Sequence, residues 1–374
     1  MQEPTDRPPL VHMASVKSDA DEIARALPKV SPMGGRAEHY AIGLALRVFA
    51  LSMVALGFLF LFNAVLSFWL GWPGVSVLFG HLGWLGQEAP LKPLTGVAVM
   101  LGWVQLALYA GALAAVTAFV LKTPRRTLYE DSEALFALTG YIIRWAFFSV
   151  LLVGLADMAI SFLRVEGTLH YILGEDIAQD MGRPSFRGHF VHYPIMVVSL
   201  VIAWFSRTLG FTWLALLIVA AEIQIVIARF VFSYEQAFMG DLVRFWYGAL
   251  FLFASPYTLI KEGHVRVDIL YANFNERGKA WTNTLGCVIL GLPLCWIILT
   301  RGMWGRANVI TGPLLNFEVT QSGYGLYVKY LLAGFLMIFA FGMLIQFMGY
   351  LLSNAAVLLR EPGHHPDTTE HPAV

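Results

Sequence analysis

Charge is scarce in this chain. Only 13% of its 374 residues are Asp, Glu, Lys or Arg, about half the share usual in soluble domains, and the formal net charge is zero. That balance removes any bulk attraction to nucleic acid, and no DNA- or RNA-binding motif is present. Cysteine is rarer still. Cys287 and Cys295 are the only two, and both fall within one apolar run. On a helix their Cα atoms are about 12 Å apart along the axis, beyond disulfide reach, so they read as packing residues. No glycine-rich phosphate loop, nucleophile–base pair or set of paired acid/base carboxylates can be assembled, which predicts a protein that is not an enzyme. The ten histidines fall in predicted tails and loops rather than within apolar runs, which excludes a bis-histidine haem between facing helices. His189/His192 and His364/His365 lack a clustered third ligand and read as solvated side chains. Neither a cofactor nor a metal is expected.

What the chain has is apolar length. Hydrophobic residues make up 57% of it, in several runs of about 20 residues or more, the length needed to cross a bilayer. Helices satisfy their own backbone in lipid, so the predicted class is an all-α, polytopic integral membrane protein. Eight spans are expected, at Ala41–Leu70, Leu94–Leu121, Phe136–Phe162, Pro194–Phe205, Phe211–Phe232, Leu242–Ile260, Trp281–Thr300 and Tyr324–Leu352. The fourth is short for a crossing, and Pro194 suits its first turn. Pro256 and Pro293 are expected to kink the sixth and seventh. Residues 72–91 read as an interfacial segment, Tyr129–Leu135 as a short acidic connector and Arg164–Val191 as a long loop. Residues 1–40 carry mixed charge and five prolines with no apolar core behind a basic start, which reads as a polar, mostly disordered tail rather than a cleavable signal. Lys and Arg gather in that tail, at Lys122–Arg126 and around Lys261–Lys279. The positive-inside rule then places both termini in the cytoplasm.

Ionisable residues inside spans are the default pointers to function. Asp157 lies near the end of the third predicted span. Glu222 lies in the middle of the fifth, with Arg229 seven residues on and on the same face. Two readings stay open: an ion or solute carrier that works alone through Asp157 and Glu222, or carboxylates paired with a neighbouring span or partner subunit. The longest polar interruption of the second half is Lys261–Phe274. Its Val267, Leu270, Tyr271 and Phe274 form the stripe of a short helix, and basic residues flank it, which predicts a connector lying in the headgroup layer against membrane lipid.

Taken as one string, the second half resembles a known family. Arg229-Phe-Val-Phe closes the fifth predicted span, Asp241-Leu-Val-Arg244-Phe-Trp opens the sixth, and Glu262-Gly-His264-Val-Arg266-Val-Asp268-Ile-Leu-Tyr271 forms the connector. This resembles the small membrane subunit (DctQ type) of tripartite ATP-independent periplasmic (TRAP) transporters. It departs from that pattern in Asp241, where the family usually has Glu, and in the additional spans before Leu209. The resemblance implies a chain divided into a tail (1–40), a membrane extension (41–208), a four-span DctQ-like domain (209–360) and a second polar tail (361–374). It also implies a scaffold role in the bacterial inner membrane, beside a large membrane subunit and a periplasmic substrate-binding protein. Together these would import an organic, carboxylate-bearing solute with sodium. Arg229, Asp241, Arg244, Glu262, His264, Arg266, Asp268 and Tyr271 are then the candidates for contacts with partners or within the scaffold.

Overall fold

The computed structural model describes residues 37–361 except 85, 88, 91–92, 207–210, 235, 261–270 and 321–324. Among the described residues there are helices and turns but no strand. The helices are α1 (Ala37–Phe68), α2 (Val75–Leu82), α3 (Gly96–Lys122), α4 (Leu128–Val165), α5 (Leu169–Leu173), α6 (Glu175–Asp180), α7 (Pro184–Phe205), α8 (Phe211–Val231), α9 (Ala237–Ile260), α10 (Glu276–Met303), α11 (Thr311–Asn316) and α12 (Lys329–Leu359). Seven of them, α1, α3, α4, α7, α8, α10 and α12, are long and apolar enough to cross a membrane. The remaining expected span falls in α9, whose 24 residues match the others in length. Arg244, Trp246, Tyr247, Pro256 and Tyr257 keep α9 less apolar than those seven.

Three expectations are corrected. The Tyr129–Leu135 connector is the first part of α4, a 38-residue helix. Thr127 starts that helix through a capping box, its hydroxyl accepting from the Glu130 N–H while Glu130 accepts from the Thr127 N–H. The Arg164–Val191 loop holds two short helices, α5 and α6, and then the first turns of α7. The fourth span is accordingly not short: α7 runs over 22 residues, with Pro184 rather than Pro194 in its first turn. Arg187, His189 and His192 made this stretch look like loop. Arg187 and His192 instead turn inward and are fully buried.

Prolines explain the two irregular turns. α7 widens into a π turn at Gly188–His192 just before Pro194, and α10 does so at Cys287–Gly291 just before Pro293. A proline ring clashes with the carbonyl four residues back and offers no N–H to it, and one extra residue in the turn relieves both problems.

Two apolar cores hold the bundle, and α4 and α12 run through both. One gathers Phe147 and Val150 of α4, Leu214 and Ile218 of α8, Leu242 and Phe245 of α9, and Leu331 and Phe335 of α12. The other gathers Ala50 and Val54 of α1, Leu135 of α4, Cys295 and Leu299 of α10, and Leu344 and Met348 of α12. Cys287 and Cys295 are free and buried there, as expected of packing residues. Contact between α4 and α9 is close enough that a Cβ on Gly154 would overlap the Trp246 indole. The approach therefore requires glycine at 154.

At the end of the bundle where α1 begins and α12 stops, here the proximal end, polar groups close the gaps between helices. Arg47 donates from Nε to Asp131 at 2.6 Å and from its η nitrogens to the Thr123 carbonyl (2.8 Å) and hydroxyl (3.0 Å). Arg126 also pairs with Asp131. The Glu361 carboxylate accepts from the Leu128 N–H at 2.9 Å. Burial pushes the Glu361 carboxyl above its usual range, against the pull of that N–H and of Arg47. Its folded pKa thus lies above the unfolded one. Its contribution to stability is full below the unfolded carboxylate pKa of about 4.3 and is lost as pH rises through the raised value. Glu361→Gln keeps an acceptor for Leu128 but removes the buried charge. It should raise the melting temperature in detergent at pH 7–8 and leave it unchanged near pH 4. A loss of stability at neutral pH would contradict the raised value.

Candidate functional site

Among the described residues, the largest cluster of buried ionisable groups sits at the opposite, distal end, around Asp157 of α4. One carboxylate oxygen accepts from Arg187 Nη1 at 2.8 Å and lies 3.2 Å from His192 Nε2. The other accepts from the Tyr327 backbone N–H at 2.7 Å. Asp157, Arg187 and His192 are all fully buried. The π turn of α7 places the last two side chains on this site: it begins right after Arg187 and ends at His192. A Cβ on Gly188 would collide with the Phe317 ring, so the turn can pass this aromatic only with glycine at that position.

Arg187 leaves few donors unmet. Besides Asp157 it donates to Ser161 Oγ at 3.1 Å and, from Nε and Nη2, to the Met181 carbonyl at 3.1 and 2.9 Å. Its guanidinium lies 4.1 Å from the centre of the Tyr327 ring, a cation–π contact. The Tyr327 hydroxyl donates to the Gly182 carbonyl at 3.0 Å and receives Arg164. His192 Nδ1 is 2.8 Å from the Tyr330 hydroxyl, with the two rings stacked. Since Asp157 can only accept, His192 carries a hydrogen on Nε2. The result is a closed ion pair with satisfied edges rather than an exposed reactive group. It rests on α4, α6–α7 and the start of α12.

This arrangement corrects the reading of His189/His192 as a solvated pair, because His192 is wholly enclosed. Sequence inspection missed Arg187, His192, Tyr327 and Tyr330. The available signal was an Arg and a His five residues apart just before an apolar run, enough to extend the fourth helix backwards. No group of three or more His, Cys, Asp or Glu side chains suited to a metal exists among the described residues.

The other expected residues are dispersed. Asp241, with 12% of its side chain exposed, accepts from the Thr320 hydroxyl at 3.0 Å and the Leu326 N–H at 3.2 Å. It thereby anchors the segment that leads into α12. Arg244 lies 3.6 Å from Asp241 but is 77% exposed, a surface pair of small energetic weight. Arg229 is exposed and has no partner among the described residues. Glu262, His264, Arg266 and Asp268, and with them most of the expected connector helix, lie outside the described residues. Tyr271 lies in a single 3₁₀ turn, Tyr271–Asn273. Its hydroxyl accepts from Asn283 Nδ2 at 3.0 Å, and Asn283 also reaches Tyr350 and Asn354, so the end of the connector is tied to both α10 and α12. Lys279 lies 5.6 Å from the Tyr271 ring.

Glu222 differs from Asp157 in every respect. It sits at the middle of the 21-residue α8, exposed on the helix surface and without a partner among the described residues. Insertion scales put a charged side chain at a span centre at about 2.5–3.5 kcal/mol. Two cavities among the described residues both lie away from Asp157 and Glu222. One, of about 230 Å³, lies among Phe60, Asn63, Ser67, Tyr109 and Trp304. The other, of about 80 Å³, is nearly all apolar and lies among Trp145, Val150, Met196 and Leu331.

With seven apolar helices of spanning length and an Asp157–Arg187 ion pair neutralised inside the bundle, the chain is a multi-pass helical membrane protein. Residues 216–357 match the family model for tripartite ATP-independent periplasmic transporters, DctQ component. Residues 216–357 are therefore a DctQ-type domain, of the family that supplies the small membrane component of TRAP transporters, and an N-terminal membrane extension precedes it. Tyr327 and Tyr330 belong to that domain, whereas Asp157, Arg187 and His192 belong to the extension, so the buried cluster joins the two. No curated protein and no solved structure matches the chain.

Proposed function

We propose that this chain is the accessory, scaffold-forming subunit of a sodium-coupled, binding-protein-dependent TRAP transporter in the bacterial inner membrane. Both its termini face the cytoplasm. Its partners are a large membrane subunit that moves the solute and a periplasmic protein that captures it. The cargo is an organic, carboxylate-bearing solute. The observation that carries this reading is the DctQ-type domain at residues 216–357. The enclosed Asp157–Arg187–His192 cluster supports it, because a group already bonded on every side has no free valence for a passing ion. The extension (41–208) and the domain (209–360) act together as a wider brace, held by that cluster and by the Ser132 hydroxyl, which donates to the Gly349 carbonyl at 2.8 Å.

The test combines affinity purification of the tagged full-length chain from its native membrane with flux measurements. A large polytopic subunit should co-purify. Liposomes holding this chain alone should show no sodium-driven uptake, and liposomes holding the complex with its binding protein should. Uptake by the isolated chain, abolished by Glu222→Gln, would overturn the proposal.

A further inference from the structure

We infer that the face of α8 bearing Val219, Glu222, Val226 and Arg229 is the seat of a membrane-spanning helix from a different polypeptide, one that presents a lysine or arginine at the depth of Glu222. This rests on the reading of the chain as one subunit of a transporter, and it names the surface through which that subunit is held. The adjoining flank of α8, centred about 90° around the helix, is spoken for: Leu214, Ile218 and Ala221 are buried in the core shared with α4 and α9. Val219, Glu222, Val226 and Arg229 are all exposed, at spacings of three, four and three, the period of a seam between two packed helices.

Lipid could cover the valines. It cannot cover Glu222, about 16 Å from one end of the helix and about 14 Å from the other, and too short to reach the headgroups. Arg229, in the last turn, has the length to do so. A carboxylate at this depth calls for a cation. A second copy of this chain does not supply one. In a symmetric pair of like orientation Glu222 meets Glu222, and Arg229 lies about 10 Å away along the axis. Nor do residues 1–36, whose prolines and mixed charges suit water rather than the bilayer centre. Charge complementarity thus selects a foreign helix with a basic side chain at mid-depth.

The experiment places a photoactivatable benzophenone side chain at Val219 or Val226 of the tagged full-length chain in its native membrane. Leu216 and Ile227 serve as comparison positions, exposed on α8 but more than about 100° around it from Glu222. Val219 and Val226 should each trap one large polytopic polypeptide, through a peptide whose apolar stretch contains Lys or Arg. The comparison positions should yield about tenfold less. Glu222→Lys should reduce recovery of that polypeptide about tenfold or more, and Glu222→Gln should weaken it less. Should Glu222→Lys fail to fold, judged by its elution profile, Glu222→Gln and the crosslinking pattern decide. Four results would overturn the inference: equal crosslinking all round α8, a product that is a dimer of this chain, a trapped peptide without a cation, or wild-type recovery with Glu222→Lys. In each case, a wild-type chain that still brings down the large subunit leaves the proposed function standing. A wild-type chain that brings down nothing removes both.

Discussion

Asp157→Ala should be among the most damaging single substitutions in the protein. It leaves the Arg187 guanidinium, fully buried, without its counter-ion and deprives the Tyr327 N–H and His192 of their acceptor. Removing one partner of a buried ion pair costs about 3–5 kcal/mol, because the survivor stays charged in a medium that does not solvate it. In a bundle of this size that corresponds to a fall in melting temperature of about 5 °C, read by thermal unfolding in detergent. The double variant Asp157→Ala/Arg187→Met should recover a large part of the loss, since it removes the stranded charge as well. If Asp157→Ala alone is as stable as the parent, or the double variant is worse than either single one, the cluster is not the clasp it appears in its geometry. The same clasp joins α4 and α7 to the start of α12. Limited proteolysis of Asp157→Ala should accordingly cut first in the α5–α6 region, which the parent holds through Met181 and Gly182.

Asp131→Ala should rank close behind, at the proximal end. Asp131 is buried, and so is Arg47, which pairs with it at 2.6 Å. Arg126 is 37% exposed and can turn to water when its partner is lost. Arg47 has no such exit. It keeps its two bonds to Thr123 but remains a buried cation, so a cost of about 3 kcal/mol or more is expected, somewhat below that at Asp157. Arg126→Ala should cost much less, within about 1 kcal/mol, as a partly exposed pair does. Equal losses for Asp131→Ala and Arg126→Ala would mean that the surface pair, not the buried one, carries the effect. Because α1, α3 and α4 meet here, Asp131→Ala should loosen the N-terminal extension while leaving the distal cluster intact.

Much of the architecture was legible because lipid imposes a simple rule. A long uninterrupted apolar stretch has to be a helix, and α1, α3, α8 and α12 follow the runs that mark them. Reading by hydropathy failed where polar residues are spent inside the bundle. Glu130, Asp131 and Glu133 made the first turns of α4 look like a connector. Yet Glu130 caps the helix and Asp131 faces Arg47. Arg187 and His192 hid the first turns of α7 for the same reason. A polar side chain matched by a partner distant in the chain looks, along the chain, the same as one matched by water. Tyr327 is 170 residues from Asp157, and no local pattern reports such a pairing.

The two intramembrane carboxylates separate most clearly what each level decided. By itself, the chain determined that Asp157 and Glu222 stand within apolar helices, that its second half carries the Arg229, Asp241 and connector pattern of a DctQ-type domain, and that no catalytic or metal constellation is recognisable. All of these are properties of order and spacing. Only the tertiary structure decided that Asp157 is enclosed by Arg187, His192 and Tyr327 while Glu222 looks outward from α8. Which way a charge faces depends on which helices pack against its own, and that is settled by shape complementarity among segments far apart in the chain.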